Sequence, residues 1–434
     1  MMAVLLIVGL VIGAGVGYFM APTQTEIETE TITVEVEPLA GKTIKIGNII
    51  ASDPGLEWDV PYTEDILIPD LNELADTLGY DVTFNILVDS AQSQAAIHLE
   101  KVQSFKAMDV SLIVGGRWSS QASGALSYVN ENNILLWSPS STAPTLRIAD
   151  DNLYRMCPDD TIQAPAIAEM LWSWGIEAII VIQRADAWAD GIYNILAPLY
   201  EEKGGVVAEQ IRYMSETLEF SSYLASAETI AEDLVDEYGA EHVAIEYICF
   251  GQDGSVLLTQ VEDYPTLWSL MWFGSDGSAI TQLIQDNSPS QADHLVLPST
   301  MAAPGKSEVF INLYNRYVAS TGVSMSYYEA CTYDIMTTLF ESITSAQSID
   351  PEDLIPLQHQ VTYKTWGASG WTLLNEAGDR AASNYDIWGF SYIGDEPVFA
   401  NYGMYDGAAG TVVWYAEATT TDGETLPGIT PVGH

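Results

Sequence analysis

Residues 110–144, VSLIVGGRWSSQASGALSYVNENNILLWSPSSTAP, decide the fold class of this chain. The apolar runs at 110–116 and 134–137 each predict a buried strand, and 119–130 between them predicts a helix. The second strand is followed by a row of hydroxyl side chains between two prolines, which favour an extended backbone. Open α/β sheets bind small molecules outside the carboxyl ends of their strands. The hydroxyl row therefore either caps a turn or faces a ligand.

The same alternation of strands and helices continues on both sides of this stretch. Further strand-like apolar runs lie at 43–50, 82–88, 177–183, 242–251 and 267–274. Strands that alternate with helices at this spacing predict parallel sheets. We therefore predict an α/β fold of two doubly wound parallel-sheet lobes joined by a multi-strand hinge, with the chain crossing between the lobes more than once.

The order of these units sets the expected domain boundaries. We assign 43–157 and 299–364 to lobe 1, and 158–298 and 365–420 to lobe 2. Residues 421–434 form a C-terminal tail. At 434 residues with 48% hydrophobic side chains, the chain is long enough to bury two cores.

Charge and cysteine content limit the possible partners. The chain has 60 acidic and 14 basic residues, a formal net charge of −46, so its surface repels nucleic acid and anionic lipid headgroups. Cys157, Cys249 and Cys331 form no CxxC pair, which excludes a zinc ribbon or a thioredoxin-like site. They are either buried free thiols, or one disulfide and one spare thiol.

The N-terminus predicts a membrane segment. Residues 1–22 contain no charged side chain, and a helix needs about 20 apolar residues to span a bilayer. We predict a transmembrane anchor, with a cleaved signal segment as the alternative. The acidic Thr/Glu-rich residues 23–42 then form a linker. The expected location is the extracellular face of the membrane, or a secreted or periplasmic one if the segment is cleaved.

The helix that opens at Ser119 offers a site for an anion. The free amides of Ser119 and Ser120 and the positive end of the helix dipole suit a carboxylate. The alternative is that Ser119 is only an N-cap.

The order of these features resembles a known family. Strand, VGGRWSS, helix, ILLWSPSSTAPTL and YRMCPDD over 114–160 are similar to the branched-chain amino-acid-binding proteins of ABC importers, which have the type I periplasmic-binding fold. The resemblance covers residues 43–398, and 114–160 is its specific part. It implies capture of an amino acid between two lobes, with an ABC permease and ATPase as partners.

The resemblance also implies ligand contacts in the first lobe. Ser119 matches the serine that binds the ligand carboxylate, and Thr142 the threonine that contacts both ends of the amino-acid backbone. Ser140 is expected to offer its carbonyl to the ammonium group, and Ser141 its backbone amide.

Other matched positions are expected to complete the cleft. Asp276 matches an acidic residue for the ammonium group, since a buried unpaired charge is costly. Trp188 and Trp58 match aromatic positions that line the cleft, and both are expected in loops after strands. Phe250 and Gln252 lie near another contact position.

Some residues depart from the family pattern. The family often has tyrosine where Trp58 and Trp188 lie, and glutamate where Asp276 lies. Arg117 and Trp118 are unusually large, and Arg117 itself is a candidate to clamp a carboxylate. Trp118 replaces a cysteine of the family's first-lobe disulfide, so that disulfide cannot form.

No motif for bond chemistry is present. The sequence has no GxSxG, HExxH or Walker loop, and its five histidines lack metal-ligand spacing. We expect no cofactor, no metal and no catalytic residue. The expected function is that of an extracellular solute-binding protein of an ABC importer. The alternatives are a binder of amides, urea or another small polar solute, and the extracellular ligand-sensing domain of a receptor.

Overall fold

A computed structural model describes residues 38–433 of the chain. The predicted membrane segment at 1–22 and most of the predicted linker lie outside the described residues. Within 38–433, no helix combines the length and the apolar character needed to cross a bilayer.

The strands are numbered in chain order: β1 (Lys42–Ile50), β2 (Val82–Ser90), β3 (Leu112–Val114), β4 (Leu135–Ser138), β5 (Leu153–Pro158), β6 (Ala178–Arg184), β7 (Val206–Tyr213), β8 (Val243–Ile248), β9 (Met271–Gly274), β10 (Ser299–Ala302), β11 (Trp366–Gly367), β12 (Gly370–Trp371), β13 (Asp379–Arg380), β14 (Tyr385–Ile393), β15 (Glu396–Asp406), β16 (Thr411–Thr420) and β17 (Thr425–Pro427). The β11–β12 pair forms a separate small hairpin.

The helices are α1 (Leu56–Tyr62), α2 (Ile68–Leu78), α3 (Ala95–Ala107), α4 (Ser119–Glu131), α5 (Asp160–Trp174), α6 (Ala187–Glu202), α7 (Ser221–Tyr238), α8 (Gly251–Leu258), α9 (Pro265–Ser269), α10 (Gln282–Asn287), α11 (Pro289–Leu295), α12 (Glu308–Thr321), α13 (Tyr327–Ala346), α14 (Pro351–Leu354) and α15 (Gln358–Lys364). A π-helical turn at Thr63–Leu67 joins α1 to α2. Pro69 lies in the first turn of α2, where its missing amide hydrogen costs no helical hydrogen bond.

Two sheets repeat one topology. The first has the order β13-β5-β4-β3-β1-β2 and is parallel throughout. The second contains β10-β9-β8-β6-β7 in the same parallel order and continues into the antiparallel strands β14 to β17. Helices cover both faces of the parallel parts, so every residue of a central strand such as β6 is buried. The predicted α/β fold with two parallel-sheet lobes is confirmed.

The lobe boundaries differ from the predicted ones at two strands. β10 pairs with β9 and β14 in the second sheet, whereas the helices of 299–364 pack on the first lobe. β13 adds to β5 in the first sheet, although 365–420 was expected in lobe 2. The chain thus crosses between the lobes after β5, after β10 and after β13, which builds the hinge from several segments.

The C-terminal residues and the cysteines are also placed. β17 pairs with β16, and the amide of Val432 donates to the carbonyl of Trp174 at 2.9 Å, so the predicted tail packs on the second lobe.

Cys157, Cys249 and Cys331 are buried free thiols. The alternative of one disulfide and one spare thiol is therefore wrong.

Glu246 is an isolated acid in the core of the second lobe. It lies in the middle of β8, between Val181 of β6 and Phe273 of β9, and it is fully buried. Neither carboxylate oxygen has a hydrogen-bond partner. Burial alone raises the pKa of Glu246 to about 8, so the side chain is neutral at neutral pH.

We expect Glu246 to make the protein less stable as the pH rises. The folded state holds this proton more tightly than the unfolded chain, so the stabilisation present below pH 4.5 is lost progressively up to about pH 8. The loss at pH 7 is on the order of 3 kcal/mol. Urea unfolding of the wild type and Glu246→Gln at pH 5 and pH 7.5 measures it, with the exposed Glu209→Gln as control. Equal pH dependence in the wild type and Glu246→Gln would refute the assignment.

Candidate ligand-binding cleft

The carboxyl ends of both parallel sheets face one cleft between the lobes. Segments that follow β1, β3 and β4 line it from the first lobe, and segments that follow β6, β8 and β9 line it from the second. The start of α13 closes one side. The cavity volume is about 240 Å³, which suits a small solute. This is the position where open α/β sheets hold their ligands.

The N-terminus of α4 points at this cleft. The helix begins at Ser119, as the sequence predicts, and its first amides have no partner within the helix. The hydroxyl of Ser119 accepts a hydrogen bond from the amide of Ala143 at 3.1 Å. Its own hydrogen therefore remains available to a ligand.

The hydroxyl row after β4 is tied down by its own side chains. Ser138 donates to the carbonyl of Gly116 at 2.9 Å and accepts from the amide of Ser141 at 3.0 Å. Ser140 donates to the carbonyl of Arg117 at 2.9 Å. The Ser141 amide, expected from the sequence to meet the ligand, thus already has a partner within the loop.

Arg155 fixes the carbonyls on either side of Thr142. Its guanidinium donates to the carbonyl of Ser141 at 3.0 Å and to that of Ala143 at 2.9 Å. It also forms a two-pronged ion pair with Asp379, with distances of 2.5 and 2.8 Å. Arg155 and Asp379 are both buried. The backbone around Thr142 is therefore rigid, and the Thr142 side chain is buried.

Two buried carboxylates lie beside the Thr142 hydroxyl. Asp276 follows β9 and accepts a hydrogen bond from Tyr328 of α13 through Oδ2, whereas its Oδ1 has no hydrogen-bond partner among residues 38–433. Asp160, the first residue of α5, lies next to the Thr142 hydroxyl. Burial raises the pKa of both acids, the charge of Asp276 raises that of Asp160 further, and the Thr142 hydroxyl opposes this rise. Asp160 and Asp276 together form an acidic corner of the cleft.

Aromatic rings from both lobes meet across the cleft. Trp118 of the first lobe stacks on Phe250 of the second, with ring centroids 4.9 Å apart and planes at 21°. Trp188 stacks on Phe250 at 4.4 Å and 15°. Trp188 and Trp58 lie in the first turns of α6 and α1, not in the loops that the sequence predicts. β6 ends at Arg184 and α6 begins at Ala187, while a short 3-10 turn at Asp53–Gly55 leads from β1 into α1.

A buried ion pair lies at the first-lobe end of the cleft. Nη2 of Arg117 is 3.0 Å from Oδ1 of Asp59 and 3.4 Å from Oδ1 of Asn48. Burial raises the pKa of Asp59 to about 6, Arg117 opposes this rise, and the charge of Glu329 adds to it. Nε of Arg117 is buried and has no hydrogen-bond partner among residues 38–433. The Arg117 guanidinium therefore keeps donors that these residues do not use.

The family model for the receptor family ligand binding region matches residues 68–393. The chain belongs to this family.

Proteins of known structure share its fold. The leucine-binding protein of Thermotoga maritima superposes with a TM-score of 0.69 at 18% identity, over 86% of this chain and 98% of that one. A branched-chain amino acid transporter substrate-binding protein of Streptococcus pneumoniae, solved with isoleucine, gives 0.68 at 16% identity, over 82% and 99%. A solute-binding protein of R. palustris, solved with benzoate, gives 0.66 at 12% identity, over 87% and 98%. The resemblance to type I periplasmic binding proteins is confirmed.

A relative of similar length is also known. An uncharacterized protein of Methanocaldococcus jannaschii is 24% identical over 419 residues, which is 92% of this chain and 97% of the relative.

Most of the positions expected from the sequence lie together in this member of the receptor ligand-binding family. The cavity is lined by seven of the nine: Trp58, Ser119, Ser140, Trp188, Phe250, Gln252 and Asp276. Ser141 and Thr142 are buried behind Ser140. Sequence reasoning gave no role to Asp59, Asp160, Tyr328 or Glu329. The only signal for any of them was the acidic pair in YRMCPDD, which adjoins the hydroxyl row.

Proposed function

We propose that this chain is the extracellular solute-binding protein of an ABC importer, and that it captures an amino acid between its two lobes. The observation that carries the proposal is the polarity of the cleft. Helix N-terminal amides and an arginine donor lie on one wall, and a carboxylate with an unpaired oxygen lies on the opposite wall. A zwitterion matches both walls at once.

The carboxylate of the solute binds at the N-terminus of α4. The Ser119 hydroxyl donates to one oxygen, and the first amides of α4 and the positive helix end stabilise the charge. Nε of Arg117, buried and unpaired, is positioned on the same wall as a further donor. The Ser141 amide contributes by holding Ser138 rather than by meeting the ligand.

The ammonium group binds in the acidic corner. Oδ1 of Asp276 and the hydroxyl of Thr142 are its acceptors, together with the carbonyl of Ser140. Asp160 adds a second negative charge close by. Oδ1 of Asp276 has no hydrogen-bond partner among residues 38–433, and a cationic donor supplies one.

Closure of the lobes presents the captured solute to a permease. The Trp118–Phe250 stack and the Tyr328–Asp276 hydrogen bond both join the first lobe to the second. A solute that touches both walls stabilises this closed form, which a membrane permease with its ATPase recognises. The reaction is capture without bond chemistry. The protein acts at the extracellular face of the membrane.

A sensing role is the second candidate. The matching family is described as the receptor family ligand binding region, and the same closure transmits a signal when a receptor replaces the permease. Pull-down from membranes with the ligand-loaded protein separates the two, because an importer recovers permease and ATPase subunits.

A thermal-shift screen of the common amino acids, with urea and acetamide as neutral solutes, tests the proposed ligand class. A ligand at 100 times its Kd adds about 2.7 kcal/mol of stability, which raises Tm by about 3 °C for a chain of this size. We expect such a shift with at least one amino acid and none with urea or acetamide. No shift with any amino acid at millimolar concentration would contradict the proposal.

A further inference from the structure

The charged side chains that line the cleft do not balance. Arg117, Asp276 and Glu329 are the charged residues of the lining within the described part of the chain. Asp59 forms an ion pair with Arg117, and Asp160 lies close enough to Asp276 to raise its own pKa. Arg184, the other guanidinium near the cleft, is balanced by its ion pairs with Asp186 and Asp253. Arg117 thus faces more carboxylates than it can balance.

A bound zwitterion uses only part of this charge. Its carboxylate is balanced by Arg117 and the α4 N-terminus, and its ammonium group by Asp276. The part of the positive charge of Arg117 that the ligand carboxylate does not balance is then shared between Asp59 and Glu329. At least one carboxylate at the first-lobe end stays uncompensated, which is unfavourable in a closed cleft with little water.

Glu329 is free to take a further partner. Its Oε2 accepts from the amide of Ser326 at 2.8 Å and from the hydroxyl of Ser326 at 2.6 Å, which caps α13. Its Oε1 accepts no hydrogen bond from any residue of 38–433. The carboxylate is close enough to Asp59 to raise the pKa of that acid. Glu329 therefore has both an open acceptor and an unbalanced charge.

The aromatic wall suits a cation as well. Trp58, Trp118 and Trp188 line the same cavity as Glu329, and the face of a tryptophan ring attracts a cation within about 6 Å of its centre. Arg184 already uses this attraction, since its guanidinium carbon lies 4.4 Å from the centre of the Phe250 ring. An anionic side chain of the ligand is not attracted to these ring faces, and the carboxylates of Asp59 and Glu329 repel it.

We infer that the cleft selects an amino acid whose side chain carries a second positive charge, held between Glu329 and the tryptophan faces. The inference rests on the proposed capture of an amino acid and names the class of that amino acid. The overall charge of −46 acts in the same direction, because it draws cationic solutes toward the protein.

Isothermal titration with L-arginine, L-citrulline, L-leucine and L-glutamate tests the inference. Citrulline has the shape of arginine without its charge. We expect arginine to bind at least about tenfold more tightly than citrulline and more tightly than leucine or glutamate. Glu329→Gln keeps the cap on α13, since glutamine serves in a capping box. It should remove most of the preference for arginine over citrulline.

Glu308→Gln is the matched control, because Glu308 is an exposed acid in the first turn of another helix. Tighter binding of leucine or glutamate than of arginine would overturn the inference and leave the proposed function standing. An unchanged arginine preference in Glu329→Gln would overturn the role of Glu329. If none of the four amino acids binds and the full screen is also negative, the proposed function itself fails.

Discussion

Asp276→Asn is expected to weaken amino-acid binding by about 100-fold, because removing one partner of a buried charge pair costs roughly 2–5 kcal/mol. Asparagine has nearly the same shape and still accepts the hydrogen bond from Tyr328. The variant should therefore unfold at the same or a higher denaturant concentration, since burial already raises the pKa of Asp276 and makes its ionised form unfavourable. Isothermal titration gives the affinity, and urea unfolding gives the stability.

Asp263→Asn provides the control for this experiment. Asp263 is exposed in the second lobe, so this change alters the net charge equally but leaves the cleft intact. The affinity of Asp263→Asn for the amino acid should match that of the wild type. If Asp276→Asn also binds with unchanged affinity, the ligand has no cation at this position, and a neutral solute becomes the better candidate.

Arg155→Met is expected to lower the free energy of unfolding by about 3–5 kcal/mol, because it leaves Asp379 buried and without its ion pair. The carbonyls of Ser141 and Ala143 lose their donor in the same variant, so the loop that carries Thr142 loosens and ligand affinity falls as well. Urea unfolding, followed by titration of the remaining folded protein, measures both effects.

Two further variants separate the ion pair from simple loss of a side chain. Arg212→Met removes an arginine whose side chain is 46% exposed and whose partner Asp190 is 33% exposed, so it should cost less than about 1 kcal/mol. The double variant Arg155→Met with Asp379→Leu should regain most of the lost stability, since no charge is left unpaired. A loss below 1 kcal/mol for Arg155→Met would show that the pair does not hold the loop.

The parts of the fold that follow from local sequence were predictable. Apolar runs such as 134–137 belong to strands because helices cover both faces of each sheet. The helix that opens at Ser119 follows its strand at the expected place. The hydroxyl row lies beside the cleft because β4 ends at Ser138, at the same edge as its parallel neighbours.

The parts of the fold and of the cleft that depend on long-range contacts were not predictable from the sequence. Which residues of α13 face the cleft is set by the packing of this helix against the first sheet. Tyr328 and Glu329 could therefore not be found. β13 is two residues long and has no pattern of its own, since the ion pair of Arg155 with Asp379 holds it beside β5. The Ser141 amide is occupied because Ser138 folds back on its own loop.

A crystal structure of the chain with the amino acid that gives the largest thermal shift tests directly whether a zwitterion binds between the two lobes. We expect the solute between the lobes, with its ammonium group within hydrogen-bond distance of Oδ1 of Asp276. Its carboxylate should lie at Ser119 and the first amides of α4. A solute bound in the reverse orientation, or held by one lobe alone at another surface, would contradict it.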